Sequence, residues 1–154
     1  MYDVVARTLV ERPSLVVKDR LSVEEIPAWL GKVYHLVSER MEETGAIPAG
    51  PPFARYTMLG DDEFFVEAGF PLTAAVEGSG QVEASILPGG PAATVWHLGP
   101  YENTEQTYRL IQQWLDEHDV AASGPPWETY YSDPTEEPDP ATWRTEIVQP
   151  YVSP

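Results

Sequence analysis

The segment GPPWETY, residues 124–130, places a carboxylate beside aromatic side chains. Alternate residues of a strand share a face, so Glu128 and Tyr130 are expected on one side, with Trp127 and Thr129 on the other. A carboxylate among aromatic rings suits a cationic aromatic guest, through charge pairing and cation–π attraction. It also suits a general acid or base, because an apolar setting raises the pKa of a glutamate. The alternation equally allows Glu128 to point to solvent.

An internal repeat singles out Glu128. The segment GPPFARY, residues 50–56, returns 74 residues later as GPPWETY, which aligns Tyr56 with Tyr130. At the same offset, Ala54 of the first copy becomes Glu128 of the second. Since features that differ between copies point to function, Glu128 is the first candidate site residue. By the same argument we interpret Glu67 as structural, because a glutamate recurs in the second copy as Glu146, and Glu146 is interpreted in the same way.

Hydrophobic periodicity predicts two helices among short strands. Ser22 and Glu25 have capping-box spacing before an apolar stripe that ends at Gly45, and Asn103 is a plausible cap for a second helix carrying Tyr108. The first two strands of each copy are predicted to form a hairpin. The predicted strands are Val4–Val10, Leu15–Leu21, Phe53–Leu59, Phe64–Phe70, Val82–Leu87, Ala92–Leu98, Trp127–Tyr131 and Thr142–Gln149.

These elements indicate an α+β fold with an antiparallel sheet and helices on one face. We expect a single domain, residues 1–154, whose internal repeat spans residues 1–76 and 82–152. Two copies that are each too small to bury an apolar face should pack together, with a pocket at their interface.

Composition excludes several classes of function. Nine basic against 25 acidic residues give a net charge of −16, which disfavours direct nucleic-acid binding. The chain contains no cysteine, no signal-peptide pattern and no apolar window long enough for a membrane span, so we expect a cytoplasmic protein. The histidines and carboxylates lack the spacing of a metal site, and we expect no metal or cofactor; His97 is interpreted as a hydrogen-bonded structural residue.

The run HLGPYENTEQTYRLIQQWL, residues 97–115, followed by GPPWETYYSDP and WRTEIVQP, resembles the gyrase-inhibitor-like (GyrI-like) small-molecule-binding domain. GPPFARY and VEAGFPL extend the resemblance over nearly the whole chain. It implies two strand-helix-strand-strand (SHS2) modules about a pseudo-two-fold axis, with an aromatic central cavity. In multidrug-sensing members a glutamate of the second module meets cationic ligands, and on the motif this is Glu128. Related domains serve AraC- and MerR-type regulators; no helix-turn-helix segment is read here, so a stand-alone binder is expected.

Three functions follow from this reading. The first is binding or sequestering of a lipophilic, cationic or aromatic small molecule by Glu128. The second is hydrolysis of reactive, cyclopropanoid-type electrophiles, with Glu128 and Tyr130 as catalytic residues. The third is an acidic inhibitor that contacts a topoisomerase as a protein partner. The sequence leaves the oligomeric state open and favours binding over catalysis. The candidate walls of the ligand site are Tyr56, Trp96, Tyr130 and Trp143.

Overall fold

A computed structural model of the protein describes residues 3–99, 104–131 and 138–153. Within these residues the chain forms nine strands and two α-helices. The strands are β1 (Val5–Leu9), β2 (Arg12–Ser22), β3 (Phe53–Met58), β4 (Glu63–Pro71), β5 (Glu83–Leu87), β6 (Gly90–Leu98), β7 (Ala121–Ala122), β8 (Trp127–Tyr130) and β9 (Arg144–Val152). The helices are α1 (Ile26–Thr44) and α2 (Thr104–Glu117).

The chain divides into two compact units. The middle unit, Val10–Gly89, pairs its strands antiparallel in the order β3-β4-β2-β5, and α1 packs against β2 and β4. The terminal unit comprises Met1–Leu9 and Gly90–Pro154. Its order is β1-β6-β9-β8, also antiparallel, with β7 paired to β9 and α2 packed against β6 and β9. The α+β class predicted from the sequence is confirmed.

Local signals explain where α1 begins and ends. The backbone N–H of Ser22 donates to Oε1 of Glu25 at 2.9 Å, as the capping-box spacing predicts. Val23–Glu25 form a 3₁₀ turn after the Ser22 cap, and the α-helix begins one turn later, at Ile26. Pro27 lies in the first turn of α1, where its missing N–H costs no helical hydrogen bond. Gly45 has a φ of 73° and ends the helix, because a residue without a Cβ adopts this conformation without strain.

The prediction that the first two strands of each copy pair with each other as a hairpin is wrong. The strands themselves form, but β1 pairs with β6, whereas β2 pairs with β4 and β5. Both edges of β2 are therefore occupied, and neither is left for β1. Consequently β1 belongs to the terminal unit and β5 belongs to the middle unit.

The core of the terminal unit lies between α2 and the sheet. Its buried residues come from α2, β6 and β9, and Tyr108 and Trp114 of α2 pack against them while partly exposed. The apolar spacing on α2 therefore faces the sheet, as its periodicity predicts. The buried members are Ala93, Val95, Ile111, Leu115 and Ile147.

Two expectations lie outside the described residues: Asn103 as a helix cap, and residues 132–137 of the acidic loop. The internal repeat stays a prediction. In the part of the chain that the structure describes, neither helix is long and apolar enough to cross a bilayer.

Gly69 of β4 provides a test of strand packing in the middle unit. A Cβ added at Gly69 would overlap the carbonyl oxygen of Leu15, so we expect Gly69→Ala to lower the free energy of unfolding by about 1–3 kcal/mol. Gly31→Ala on α1 is the control: no atom lies within 4 Å of its added Cβ, and alanine favours a helix by about 1 kcal/mol. Urea unfolding should show opposite signs for the two variants; equal stabilities would contradict the packing described for β4.

Candidate functional site

Glu128 lies on the face of the terminal sheet that α2 covers. In the strand register it stands opposite Ile147 of β9, which in turn stands opposite Val95 of β6. Directly opposed residues share a face, and both neighbours belong to the core under α2. Glu128 is only 8% exposed, so the carboxylate is buried and does not point to solvent.

Two tyrosine hydroxyls satisfy the Glu128 carboxylate. The hydroxyl of Tyr108, on α2, donates to Oε2 at 2.5 Å, and the hydroxyl of Tyr130, two residues along β8, donates to Oε1 at 3.1 Å. Each carboxylate oxygen therefore accepts a hydrogen bond, one from the helix and one from its own strand. Alternation along β8 places Tyr130 on the face of Glu128, as the sequence indicates.

Burial sets the protonation of Glu128. Loss of hydration raises the pKa of Glu128 above its usual 4.5, because burial destabilises the charged form of the carboxyl group more than the neutral form. The hydrogen bonds from Tyr108 and Tyr130, and the electrostatic interaction with His97, lower the pKa without cancelling that increase. Among the described residues, Glu128 forms no ion pair with a lysine or arginine. The site thus holds a buried carboxylate that has no lysine or arginine partner among the described residues.

A polar row crosses the sheet next to Glu128. This row contains His97 of β6, Thr145 of β9 and Tyr130 of β8, which stand opposite one another in the strand register. It lies two residues along each strand from the row that contains Glu128. The Nδ1 atom of buried His97 lies 2.9 Å from Oγ1 of Thr107 on α2, which agrees with the hydrogen-bonded role expected for this histidine. The hydroxyl of Thr145 is buried and has no hydrogen-bond partner within the described residues.

Tyr108 is the site residue that sequence reasoning missed. The sequence pattern indicates Tyr108 only as a residue of the second helix, although Tyr108 follows Tyr34 at the same 74-residue offset that aligns Glu128 with Ala54. A buried carboxylate needs hydrogen-bond donors, and a tyrosine on the covering helix is a natural source. The distance between α2 and β8 decides which helix residue reaches Glu128, and no local pattern encodes that distance.

Trp96 lies on the opposite face of the terminal sheet. It stands across from Glu146, is 43% exposed, and packs against Tyr131 with ring centroids 4.7 Å apart. On this face, Arg7 approaches the Glu146 carboxylate at 3.0 Å. Burial raises the pKa of Glu146, and the charge and hydrogen bond of Arg7 oppose that increase. The structure does not bring Trp96 together with Glu128.

The other predicted wall residues are placed as follows. Tyr56 belongs to the middle unit, on β3, and meets the ring of Phe64 edge-on at 6.2 Å between centroids. Trp143 precedes β9 in the terminal unit and is partly buried, and its carbonyl accepts a hydrogen bond from the N–H of Gly99 at 2.8 Å. Within the described ranges, no three histidine or acidic side chains converge as metal ligands would.

The raised pKa of Glu128 predicts a pH-dependent stability difference. A raised folded-state pKa favours folding below pH 4.5, and this contribution is lost as pH rises through the folded-state value. Glu128→Gln lacks this titration, so its stability relative to the wild type should increase with pH. Urea unfolding from about pH 4 to about pH 8 measures the difference. Glu117→Gln, an exposed change on α2, controls for one lost charge; a Glu128→Gln difference that does not vary with pH would contradict the assignment.

Solved structures share this fold. The C-terminal domain of EcmrR is similar over 100% of this chain and 99% of that domain, with 23% identity and a TM-score of 0.83. In an EcmrR–DNA complex the identity is 20%, the TM-score is 0.82 and 99% of this chain is covered, but the chain spans only 58% of that protein.

Two more distant structures carry the same architecture. A hydrolase from Listeria innocua is similar over 97% of this chain and 91% of that chain, with 12% identity and a TM-score of 0.68. SAV2435 bound to tetraphenylphosphonium is similar over 97% of this chain and 94% of that chain, with 10% identity and a TM-score of 0.65. At these identities the likeness shows the fold alone.

Comparison with curated proteins finds no match. Among protein families, the GyrI-like small molecule binding domain matches residues 3–152. Because this match covers nearly the whole chain, the chain belongs to the family of GyrI-like small molecule binding domains.

Proposed function

We propose that this chain binds lipophilic organic cations and that Glu128 supplies the charge that recognises them. The observation that carries the proposal is a carboxylate that is 8% exposed, held by two tyrosine hydroxyls and without a lysine or arginine partner among the described residues. A buried charge without a counter-charge is costly. A bound cation would offset that cost, which favours cationic over neutral guests.

The two tyrosines add a second attraction. Tyr108 and Tyr130 bring two aromatic rings close to the carboxylate that their hydroxyls contact, and aromatic rings attract organic cations. Since Glu128 is nearly inaccessible, a ligand reaches the carboxylate only when at least one of these hydroxyls turns away. Support also comes from the family and from SAV2435, a protein of the same fold bound to the lipophilic cation tetraphenylphosphonium.

A neutral isostere at Glu128 tests the charge directly. We expect Glu128→Gln to weaken binding of tetraphenylphosphonium by about 1–3 kcal/mol, because the cation loses its counter-charge, and to spare neutral triphenylphosphine oxide. Isothermal titration calorimetry with both compounds measures the difference.

Glu146→Gln is the matched control for that titration. Glu146 is 7% exposed and lies in the same unit, but on the opposite face of the sheet from Glu128. We expect this variant to retain affinity for the cation. Equal losses for the cation and the neutral compound in Glu128→Gln would refute a charge role for Glu128.

A hydrolase is the second candidate function. A raised pKa makes Glu128 a better proton acceptor than an ordinary carboxylate, and Tyr130 donates a hydrogen bond to the same carboxylate. In this scheme Glu128 accepts a proton from attacking water, or donates one to the leaving atom of a strained electrophile. The buried setting would exclude bulk water from the reacting atoms.

Turnover separates the two candidates. If the chain is a hydrolase, an activated cyclopropane should give ring-opened product well beyond one equivalent of protein, and Glu128→Gln should abolish it. Product formation is followed by liquid chromatography, with Glu146→Gln as the control for folding. Binding without product, in a wild-type protein that responds to tetraphenylphosphonium, would reject the hydrolase and leave the cation-binding proposal in place.

A further inference from the structure

A cavity of about 410 Å³ lies in the middle unit, and none of its lining residues belongs to the Glu128 site. Strand β2 borders it on one side, α1 on a second, and the turn before β5 on a third. The lining residues are Val17, Lys18, Asp19, Trp29, Lys32, Val33, Leu36, Gly80, Gln81 and Glu83. The cavity therefore lies where a strand, a helix and a turn of one unit meet.

Strand β2 loses one of its two neighbours beside this cavity. The pairing of β5 with β2 ends where Glu83 meets Val16, whereas the pairing of β4 with β2 continues to the end of β2. Just before β5 the chain turns sharply, since Ser79 and Val82 exchange backbone hydrogen bonds of 2.8 and 3.1 Å. Beyond Val16, the edge of β2 that faces away from β4 is therefore open.

Two hydrogen bonds show which backbone groups point to this open edge. The N–H of Arg20 donates to Oδ1 of Asp19 at 2.7 Å. The N–H of Ser22 donates to Oε1 of Glu25 at 2.9 Å, so carboxylates and not β4 accept both N–H groups. In an antiparallel ladder the N–H and C=O of one residue point to the same side, and successive residues alternate. By this alternation the N–H and C=O of Lys18 also point away from β4.

The backbone of Lys18 has no strand partner on the open edge. Strand β5 ends before it reaches Lys18, and within the described residues no backbone group outside the ladders hydrogen-bonds to Lys18. The ammonium of Lys18 serves the other face of the sheet, where Lys18 stands opposite Glu67 and lies 3.9 Å from its carboxylate. The edge thus offers one backbone donor and one backbone acceptor beside the cavity.

The helix side of the cavity supplies an apolar surface. Trp29, Val33 and Leu36 are spaced by three and four residues, so they share one face of α1, and all three line the cavity. Trp29 and Leu36 are only partly buried, so part of each side chain remains available for contact. Further along α1, Arg40 donates to the carbonyl of Glu77 at 3.0 Å, which ties the helix to the segment before the turn.

We propose that this cavity binds a short extended peptide, which takes the place beside β2 that β5 leaves empty. A strand added to an open sheet edge gains main-chain hydrogen bonds, and here they would form with the N–H and C=O of Lys18. An apolar side chain of the peptide would pack on Trp29 and Leu36. Carboxylates already accept the next two N–H groups along this edge, so the site suits a short segment. The proposal is independent of Glu128.

The two lysines of the chain permit a selective measurement. Protein labelled with ¹⁵N-lysine gives backbone amide signals only from Lys18 and Lys32, and Lys32→Arg assigns them. We expect acetyl-valyl-phenylalanyl-valine amide to shift the Lys18 amide proton downfield saturably, because this N–H gains a carbonyl acceptor. The Lys32 signal, from within α1, should move much less. The same peptide methylated at its three residue nitrogens should leave the Lys18 signal in place.

A proline at position 18 tests the backbone N–H directly. Lys18→Pro removes that N–H without removing a hydrogen bond to β4, since a sheet tolerates proline where the N–H points away from the neighbouring strand. Lys18→Ala is the matched control, because it loses the ammonium and keeps the N–H. By isothermal titration calorimetry, Lys18→Pro should weaken peptide binding about tenfold, whereas Lys18→Ala should bind as the wild type does.

Three results would overturn the proposal: equal affinities of the proline and alanine variants, a Lys18 amide that does not respond to the peptide, or an equal response to the methylated peptide. The amide measurement uses the wild-type chain, so it decides the matter even if Lys18→Pro does not fold. Failure of tetraphenylphosphonium to bind would bear only on Glu128.

Discussion

The free-energy cost of burying one carboxylate governs the terminal unit. Glu128 occupies a core position, in register with Ile147, and its charge is removed from water. The structure offsets part of that cost with the hydroxyls of Tyr108 and Tyr130, and part by raising the pKa of the carboxyl group. Neither the hydroxyl groups nor the raised pKa supplies a positive charge. This is the physical basis of the proposal that a bound cation completes the site.

In the predicted repeat, the position of the middle unit that aligns with Glu128 carries no carboxylate. Ala54 lies 74 residues before Glu128 in the sequence and is fully buried. Next to it, the backbone carbonyl of Phe53 accepts a hydrogen bond from the hydroxyl of Tyr34 at 3.0 Å. Tyr34 precedes Tyr108 by the same offset. A tyrosine on the covering helix thus meets the strand in both units, through the backbone in one and through Glu128 in the other. Replacing a buried methyl group with a carboxylate changes what that tyrosine contacts.

The net charge of the chain agrees with the cation site proposed at Glu128. A net charge of −16 gives the chain a field that attracts cations and steers them towards it. Ions screen interactions beyond about 8 Å at physiological salt, so recognition itself depends on contacts at short range.

Local patterns determined the elements of this protein. Apolar periodicity located both helices, and the Ser22–Glu25 spacing and Gly45 marked the two ends of α1. Alternation along β8 placed Glu128 and Tyr130 on one face. Each of these patterns depends only on residues a few positions apart in the sequence. Tertiary structure decided the rest. It paired β1 with β6 instead of β2, brought Tyr108 to Glu128, and turned Trp96 to the opposite face. Strand partners and contacts between a helix and a sheet join residues far apart in sequence, so they depend on which edges and faces the whole fold leaves available.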